Sequence, residues 1–121
     1  MKLIDASALL AFLQGEAGTD RVEEALEAGA SCSAVNWSEV AQKVRAAGRD
    51  WDLARALLLS YDLHIERVTV HDGELAAKLW RAGSGLSLAD KICIAVGSRL
   101  GATILTADRS WGKEPPIIQI R

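Results

Sequence analysis

The apolar positions of the chain follow two rhythms. Short, nearly continuous runs have the length and composition of buried strands: KLI at Lys2–Ile4, ASCSAV at Ala30–Val35, LHIER at Leu63–Arg67, ATILT at Ala102–Thr106 and IIQI at Ile117–Ile120. Between them, apolar residues return every three or four positions, as on one face of a helix. Ser7 to Gln14 is a first such segment, and Thr19 to Ala28 follows with Val22, Ala25 and Leu26 on one face. A helix opening at Asn36 carries Trp37, Val40, Ala41 and Val44, and the next carries Trp51, Ala54, Leu57 and Leu58. A helix over His71 to Ala82 carries Leu75 and Leu79. The clearest period is in Leu88–Leu100, where Ala89, Ile92, Cys93, Val96 and Leu100 share a face. Gly29 and Gly101 stand where helices stop, and Pro115–Pro116 breaks the chain before the last strand. Short apolar strands separated by helices predict an α/β fold: a mainly parallel sheet covered on both faces, in a single domain spanning residues 1–121. Sheets of this kind collect ligands outside the carboxyl ends of their strands.

The acids fall at that edge. Asp5 ends the first strand, Glu39 lies in the first turn after the second, and Asp108 follows the strand Ala102–Thr106. Asp90 heads the helix that must descend from the same edge before that strand ascends. Taken singly, Glu39 and Asp90 read more simply as capping residues: Asn36-Trp-Ser-Glu39 and Ser87-Leu-Ala-Asp90 both have capping-box spacing. Asp108 suits a turn. Asp5 is harder to place as structure, because a carboxylate beside KLI in a core strand costs several kcal/mol if it is left unpaired. Taken together the balance reverses. Carboxylates crowded on one edge raise one another's pKa or recruit a cation. His64 and His71 lie elsewhere and read as surface or helix-start residues, so the donor set is all oxygen, which suits Mg²⁺ or Mn²⁺ and disfavours zinc. A cation of that kind acidifies water and stabilises charge on a phosphoryl oxygen, and phosphodiester hydrolysis follows most naturally.

Composition narrows the setting. The chain has 121 residues and a formal charge of −2, with acids and bases intermixed, so a polyanion would meet a local basic rim and no basic tail. Lys43, Lys91 and Arg109 lie near the acids in sequence and are candidates for phosphate contact, or are solvated flanks. No apolar run approaches the roughly 18 residues of a membrane span, and Asp5 interrupts the N-terminus too early for a signal peptide. Cys32 and Cys93 lack redox or zinc spacing and read as buried thiols in a reducing cytoplasm. There is no phosphate-binding glycine loop, and no histidine partners Ser7 or Ser38 for serine chemistry.

The segments MKLIDASALLAFLQGE, VNWSEVAQKV, LSLADKICIAVGSRLGATILTADRSW and IIQIR resemble, in order and over nearly the full length, a PIN domain, and more closely the VapC toxins of toxin–antitoxin pairs. The resemblance implies a three-layer α/β/α sandwich around a mainly parallel sheet of about five strands. It implies a Mg²⁺- or Mn²⁺-dependent endoribonuclease, dimeric, cytoplasmic, with no membrane partner, silenced by a small cognate antitoxin. Asp5, Glu39, Asp90 and Asp108 match its catalytic acids, and Asp5, Asp90 and Asp108 would hold the metal directly or through water. Glu39 would position the attacking water, and Ser7 and Thr106 would orient carboxylates or water by hydrogen bonds. Ser110 and Trp111 stand where many relatives carry a further acid, which counts against a second tightly held metal. Hydrolysis would leave a 5′-phosphate and a 3′-hydroxyl.

Other readings share some of these features. A related metal nuclease acting on structured DNA uses the same acids, and a non-catalytic α/β interaction domain uses the same caps. A receiver-like phosphorylated pocket would need paired acids after the first strand and a lysine after the last, and ASALL and IIQIR supply neither. Four tryptophans against one Phe and one Tyr is a skewed aromatic supply. Trp37 and Trp51 belong to inward stripes, while Trp80 and Trp111 are expected outside them, as anchors for a protein partner.

Overall fold

The structure is a computed structural model describing residues 1–121. Its strands are β1 (Lys2–Ile4), β2 (Ser31–Ser33), β3 (His64–Glu66), β4 (Thr103–Thr106) and β5 (Ile117–Gln119). Its helices are α1 (Ala6–Leu13), α2 (Thr19–Glu27), α3 (Ala34–Ala46), α4 (Trp51–Leu59), α5 (Val70–Lys78) and α6 (Leu88–Leu100), with a 3-10 turn over Arg109–Trp111. The strands form one sheet in the order β3-β2-β1-β4-β5, and every pairing is parallel.

Side chains alternate across the pleat and divide the core into two layers. Ile4, Cys32, Leu105 and partly buried Ile65 and Ile118 face α1 to α4, where Leu9, Val22, Leu26, Val40, Val44 and Leu58 complete the larger cluster. Leu3, Ile104 and Ile117 face the other way, against Cys93 and Val96 of α6. Helix α5 packs on α6 and is locked there by charge. The guanidinium of Arg99 donates to both carboxylate oxygens of Asp72, at 3.0 and 3.2 Å, and to the carbonyl of Arg67. The result is the three-layer α/β/α sandwich expected, and no helix is long and apolar enough to cross a membrane.

Two boundaries differ from the sequence pattern for local reasons. The second strand stops at Ser33, because the Ser33 hydroxyl caps α3 by accepting from the Asn36 amide at 3.1 Å. Asn36 is therefore the third helical residue and not the cap. Helix α5 ends at Lys78, short of the expected Ala82, and starts at Val70 because Thr69 and Asp72 form a reciprocal capping box. Trp37 and Trp51 pack edge to face at 5.0 Å, as their stripes implied.

Two glycines mark close approaches. At Gly18, before α2, φ is +93° and a Cβ would lie 2.7 Å from the carbonyl oxygen of Ile120. At Gly97 in α6, a Cβ would lie 2.8 Å from Cδ1 and 3.0 Å from Cγ1 of Ile104. Gly97 is thus what lets α6 sit close on the sheet. Gly97→Ala should destabilise the fold by about 1–3 kcal/mol through overpacking, despite alanine's better helix propensity. Chemical denaturation checks this, and an unchanged or stabilised variant would show that α6 has room to move.

Candidate active site

The strand order reverses direction between β1 and β4: the chain first winds outward through β2 and β3, then returns to place β4 and β5 on the other side of β1. The crevice at such a switch point is where open α/β sheets bind ligands. Asp5 occupies it. Its amide donates to the carbonyl of Leu105 across the β1–β4 junction at 3.1 Å, and the residue is only 3 % exposed. Oδ1 accepts from the Ala8 amide at 2.9 Å, capping α1, and from the Ser7 hydroxyl at 2.8 Å. Oδ2 accepts from the Thr106 hydroxyl at 2.6 Å. The Ser7 oxygen in turn accepts from the Ala107 amide, and the Thr106 oxygen from the Asp108 amide at 3.0 Å. Ser7 and Thr106 thus hold the Asp5 carboxylate by hydrogen bonds. Burial pushes the Asp5 pKa up to about 6, against the pull of the Thr106, Ala8 and Ser7 hydrogen bonds, and the negative charge of Asp90 adds to the rise.

The other acids each commit one oxygen and leave one free. Glu39 Oε1 accepts from the Asn36 side-chain amide at 2.8 Å, and Asn36 Oδ1 accepts from the Ser33 hydroxyl at 2.6 Å. Asp90 Oδ2 accepts from the Ser87 amide at 2.9 Å, completing a capping box on α6. Asp108 Oδ1 accepts from the Ser110 amide at 2.9 Å, starting the 3-10 turn. Glu39 Oε2, Asp90 Oδ1 and Asp108 Oδ2 have no protein partner. Burial, followed by the charges of Asp5 and Glu39, raises the Cys32 thiol far above its usual range. Cys93 is raised likewise by burial, with Asp5, Asp90 and Glu39 contributing. Three of the acids therefore act on one small region. The thiols, both buried and unbridged, stay protonated there and offer no nucleophile.

As the side chains stand, no three acidic, histidine or cysteine residues are close enough to hold one ion in common. The free oxygens suit a small hard cation held by one or two carboxylates, with water filling the remaining positions, which is how Mg²⁺ is usually bound.

Several side chains differ from their sequence-based placement. Lys91 is 6 % exposed and shares a covered face of α6 with Ala95, its stem packed inside the fold rather than standing on a rim. Lys43 lies one helical turn beyond Glu39 and lines an apolar groove. Arg109 is exposed, in the turn after Asp108. Trp111 is no surface anchor: its ring is buried with Leu3, Cys93, Val96 and Ile104. Trp80 is 63 % exposed, as expected. His64 and His71 are exposed. Asn36, 1 % exposed, escaped the sequence reading as the residue that orients Glu39; its signal was the three-residue spacing, taken for a cap. Buried Asp72 escaped it too, although Thr69-Val-His-Asp72 has capping-box spacing.

The raised pKa of Asp5 has a sign. A carboxyl whose folded value lies above its ordinary 3.8 favours the neutral form, so its contribution to stability is full below pH 3.8 and is lost as pH rises through about 6. In metal-free protein, Asp5→Asn should therefore gain stability relative to wild type between about pH 4 and pH 8, by up to about 3 kcal/mol. Paired denaturation curves across that range check it; a constant difference would mean that Asp5 ionises normally.

The PIN domain family model matches residues 2–113. Comparison with curated proteins yields no relative. Among solved structures, a toxin–antitoxin complex from Klebsiella pneumoniae is similar with a TM-score of 0.77 at 20 % identity, covering 100 % of this chain and 98 % of that one. VapC20 of Mycobacterium tuberculosis, a toxin that cleaves the sarcin–ricin loop, is similar with a TM-score of 0.68 at 19 % identity over 88 % of each chain. VapBC2 of Rickettsia felis, bound to a DNA fragment from its promoter, is similar with a TM-score of 0.70 at 16 % identity over 98 % of this chain and 96 % of that one. Sheet order, acid-lined switch point and a family match over nearly the whole chain agree, and the chain belongs to the PIN domain family.

Proposed function

We propose that the chain is a Mg²⁺- or Mn²⁺-dependent endoribonuclease, the cytoplasmic toxin of a toxin–antitoxin pair. The observation that carries this reading is buried Asp5 at the switch point of the sheet, raised in pKa partly by the charge of Asp90, with unpartnered carboxylate oxygens on Glu39, Asp90 and Asp108 at the same carboxyl edge. Asp5, Asp90 and Asp108 would hold the cation, directly or through water. When bound, it supplies an acidified water and positive charge at the phosphoryl oxygen. Glu39, held through Asn36 with Oε2 free, would position the attacking water and take its proton. Thr106 and Ser7 keep Asp5 pointed into the crevice. No side chain forms a bond to phosphorus, since the nearby thiols are protonated and Ser7 is engaged with Asp5 and Ala107.

The solved structures named above include toxin–antitoxin assemblies and an RNA-cleaving toxin, which supports an RNA substrate and a small protein partner. An apolar groove of about 240 Å³ between α1, α3 and α4 suits that partner. Leu10, Leu13, Leu53 and Leu57 line it, and Lys43 at its wall is one turn from Glu39, so an occupant would reach the acids. Exposed Val70, Trp80 and Leu88, on and between α5 and α6, offer surface for a second copy in a homodimer.

Asp90→Asn separates capping from catalysis. Asparagine keeps an oxygen for the Ser87 amide and removes the charge. The expected signature is an unchanged or raised melting temperature without metal, with RNA cleavage in Mg²⁺ reduced at least about tenfold, equal to about 1.4 kcal/mol of barrier. Calorimetric titration with Mn²⁺ should show weakened binding in Asp5→Asn and Asp90→Asn alike. An active Asp90→Asn with a lowered melting temperature would return Asp90 to a purely structural role.

The groove has its own test. Leu53→Glu with Leu57→Glu, both at exposed positions, should release the co-expressed antitoxin by at least about tenfold in affinity and leave the cleavage rate of the free toxin unchanged. Undiminished binding would move the partner to another face.

A further inference from the structure

The carboxyl end of β5 carries charge of the opposite sign to the acid cluster. Arg109, Lys113, Gln119 and Arg121 enclose a pocket of about 380 Å³ with no apolar side chain in its wall. Three of these four residues are cationic, in a chain whose formal charge is −2. Arg109 and Lys113 make no ion pair. Arg121 pairs with Glu16 at 2.8 Å, with both side chains at least a third exposed and free to turn. Lys113 and Arg121 also border a second hollow along β5, which reaches Arg21.

The pocket is joined rigidly to the candidate active site. The Gln119 side-chain amide donates to the carbonyls of Asp108 and Gly112, each at 2.9 Å. Those bonds hold the turn that carries Asp108 and Arg109 against the end of the edge strand. Gln119 pairs in register with Thr106, whose hydroxyl binds Asp5. The cationic pocket and the acids thus share one sheet edge, with β4 between them.

We propose that this pocket is a phosphate subsite that grips the single-stranded RNA backbone next to the scissile linkage, with Arg109, Lys113 and Arg121 as its donors. This rests on reading the acid cluster as a ribonuclease centre. An acid-lined crevice repels a polyanion, and a fixed patch of cations beside it offsets that repulsion and sets the direction in which the strand crosses the crevice. Protein partners anchor through apolar and aromatic side chains at the centre of an interface, and the pocket wall has none. Guanidinium and ammonium groups around a polar floor are instead the chemistry of phosphate recognition.

The test is Lys113→Gln with Arg121→Gln, measured beside Arg55→Gln, an exposed arginine on α4. A labelled single-stranded oligoribonucleotide is titrated by anisotropy with Ca²⁺ in place of Mg²⁺, over a series of salt concentrations, and cleavage is followed in Mg²⁺. The double variant should bind about tenfold more weakly, with a log–log salt slope shallower by about 1.4, or about 0.7 per lost contact, while Arg55→Gln keeps the wild-type slope. The double variant's KM should rise with little change in kcat. An active double variant with unchanged affinity, slope and KM overturns the subsite and leaves the nuclease reading standing. Wild type that neither binds nor cleaves RNA overturns both. A double variant that keeps RNA affinity but loses its protein partner overturns the subsite and assigns the pocket to an acidic protein surface.

Discussion

The central strand of the sheet ends on a buried carboxylate, and much of the molecule is arranged to keep it there. Leaving the Asp5 carboxylate bare would cost several kcal/mol. The Thr106 hydroxyl, 2.6 Å away across the β1–β4 junction, and the Ser7 hydroxyl and Ala8 amide meet that demand. Each of these bonds also does something else. The Ala8 amide starts α1, the Thr106 oxygen positions the Asp108 amide, and the Ser7 oxygen receives the Ala107 amide. The same few atoms join the two halves of the sheet and set the geometry of the site. Even so, burial outweighs the hydrogen bonds and raises the pKa to about 6, so the carboxylate is held in waiting for a positive charge.

A capping role does not by itself use up a carboxylate in this fold. The hydroxyl-x-x-Asp capping box occurs twice, as Thr69–Asp72 and Ser87–Asp90, with the same amide and hydroxyl bonds. The surroundings separate them. At Asp72 burial alone would raise the pKa, but the Arg99 guanidinium and the Thr69 bonds together hold it below the usual carboxylate range. Both Asp72 oxygens are consumed in that lock between α5, α6 and the end of β3. Asp90 has no cation against it and spends a single oxygen on its cap. The motif is the same; the number of lone pairs left over decides which one can serve as a ligand.

The site lies between two unlike surfaces. On the α1–α4 side an apolar groove begins one turn from Glu39, and on the β5 side a cationic pocket begins one residue from Asp108. A small net charge conceals this separation, because acids and bases are mixed along the chain and sorted only when strands and turns bring them together.

The period of apolar residues was enough to place the strands and helices within a few residues, to predict a mainly parallel sheet between helical layers, and to put Asp5, Glu39, Asp90 and Asp108 at its carboxyl edge. These features depend on local repeat and on chain direction, both of which are written in linear order. Features that depend on contact across the sheet were not legible in that way. Asn36 looked like a cap until Ser33 took that role and freed it to orient Glu39. Lys91 and Trp111 looked like surface residues because of what stands next to them in sequence, yet the face of α6 and the fold of the turn after Asp108 bury them. Arg121 gave no signal at the end of the chain, and it meets Arg109 and Lys113 only because β5 returns parallel to β4. Sequence by itself determined which residues carry charge and which strand or helix each belongs to. Tertiary structure alone decided which oxygens are spent and which are free, since a hydrogen bond is settled by the donor that arrives within about 3 Å of it.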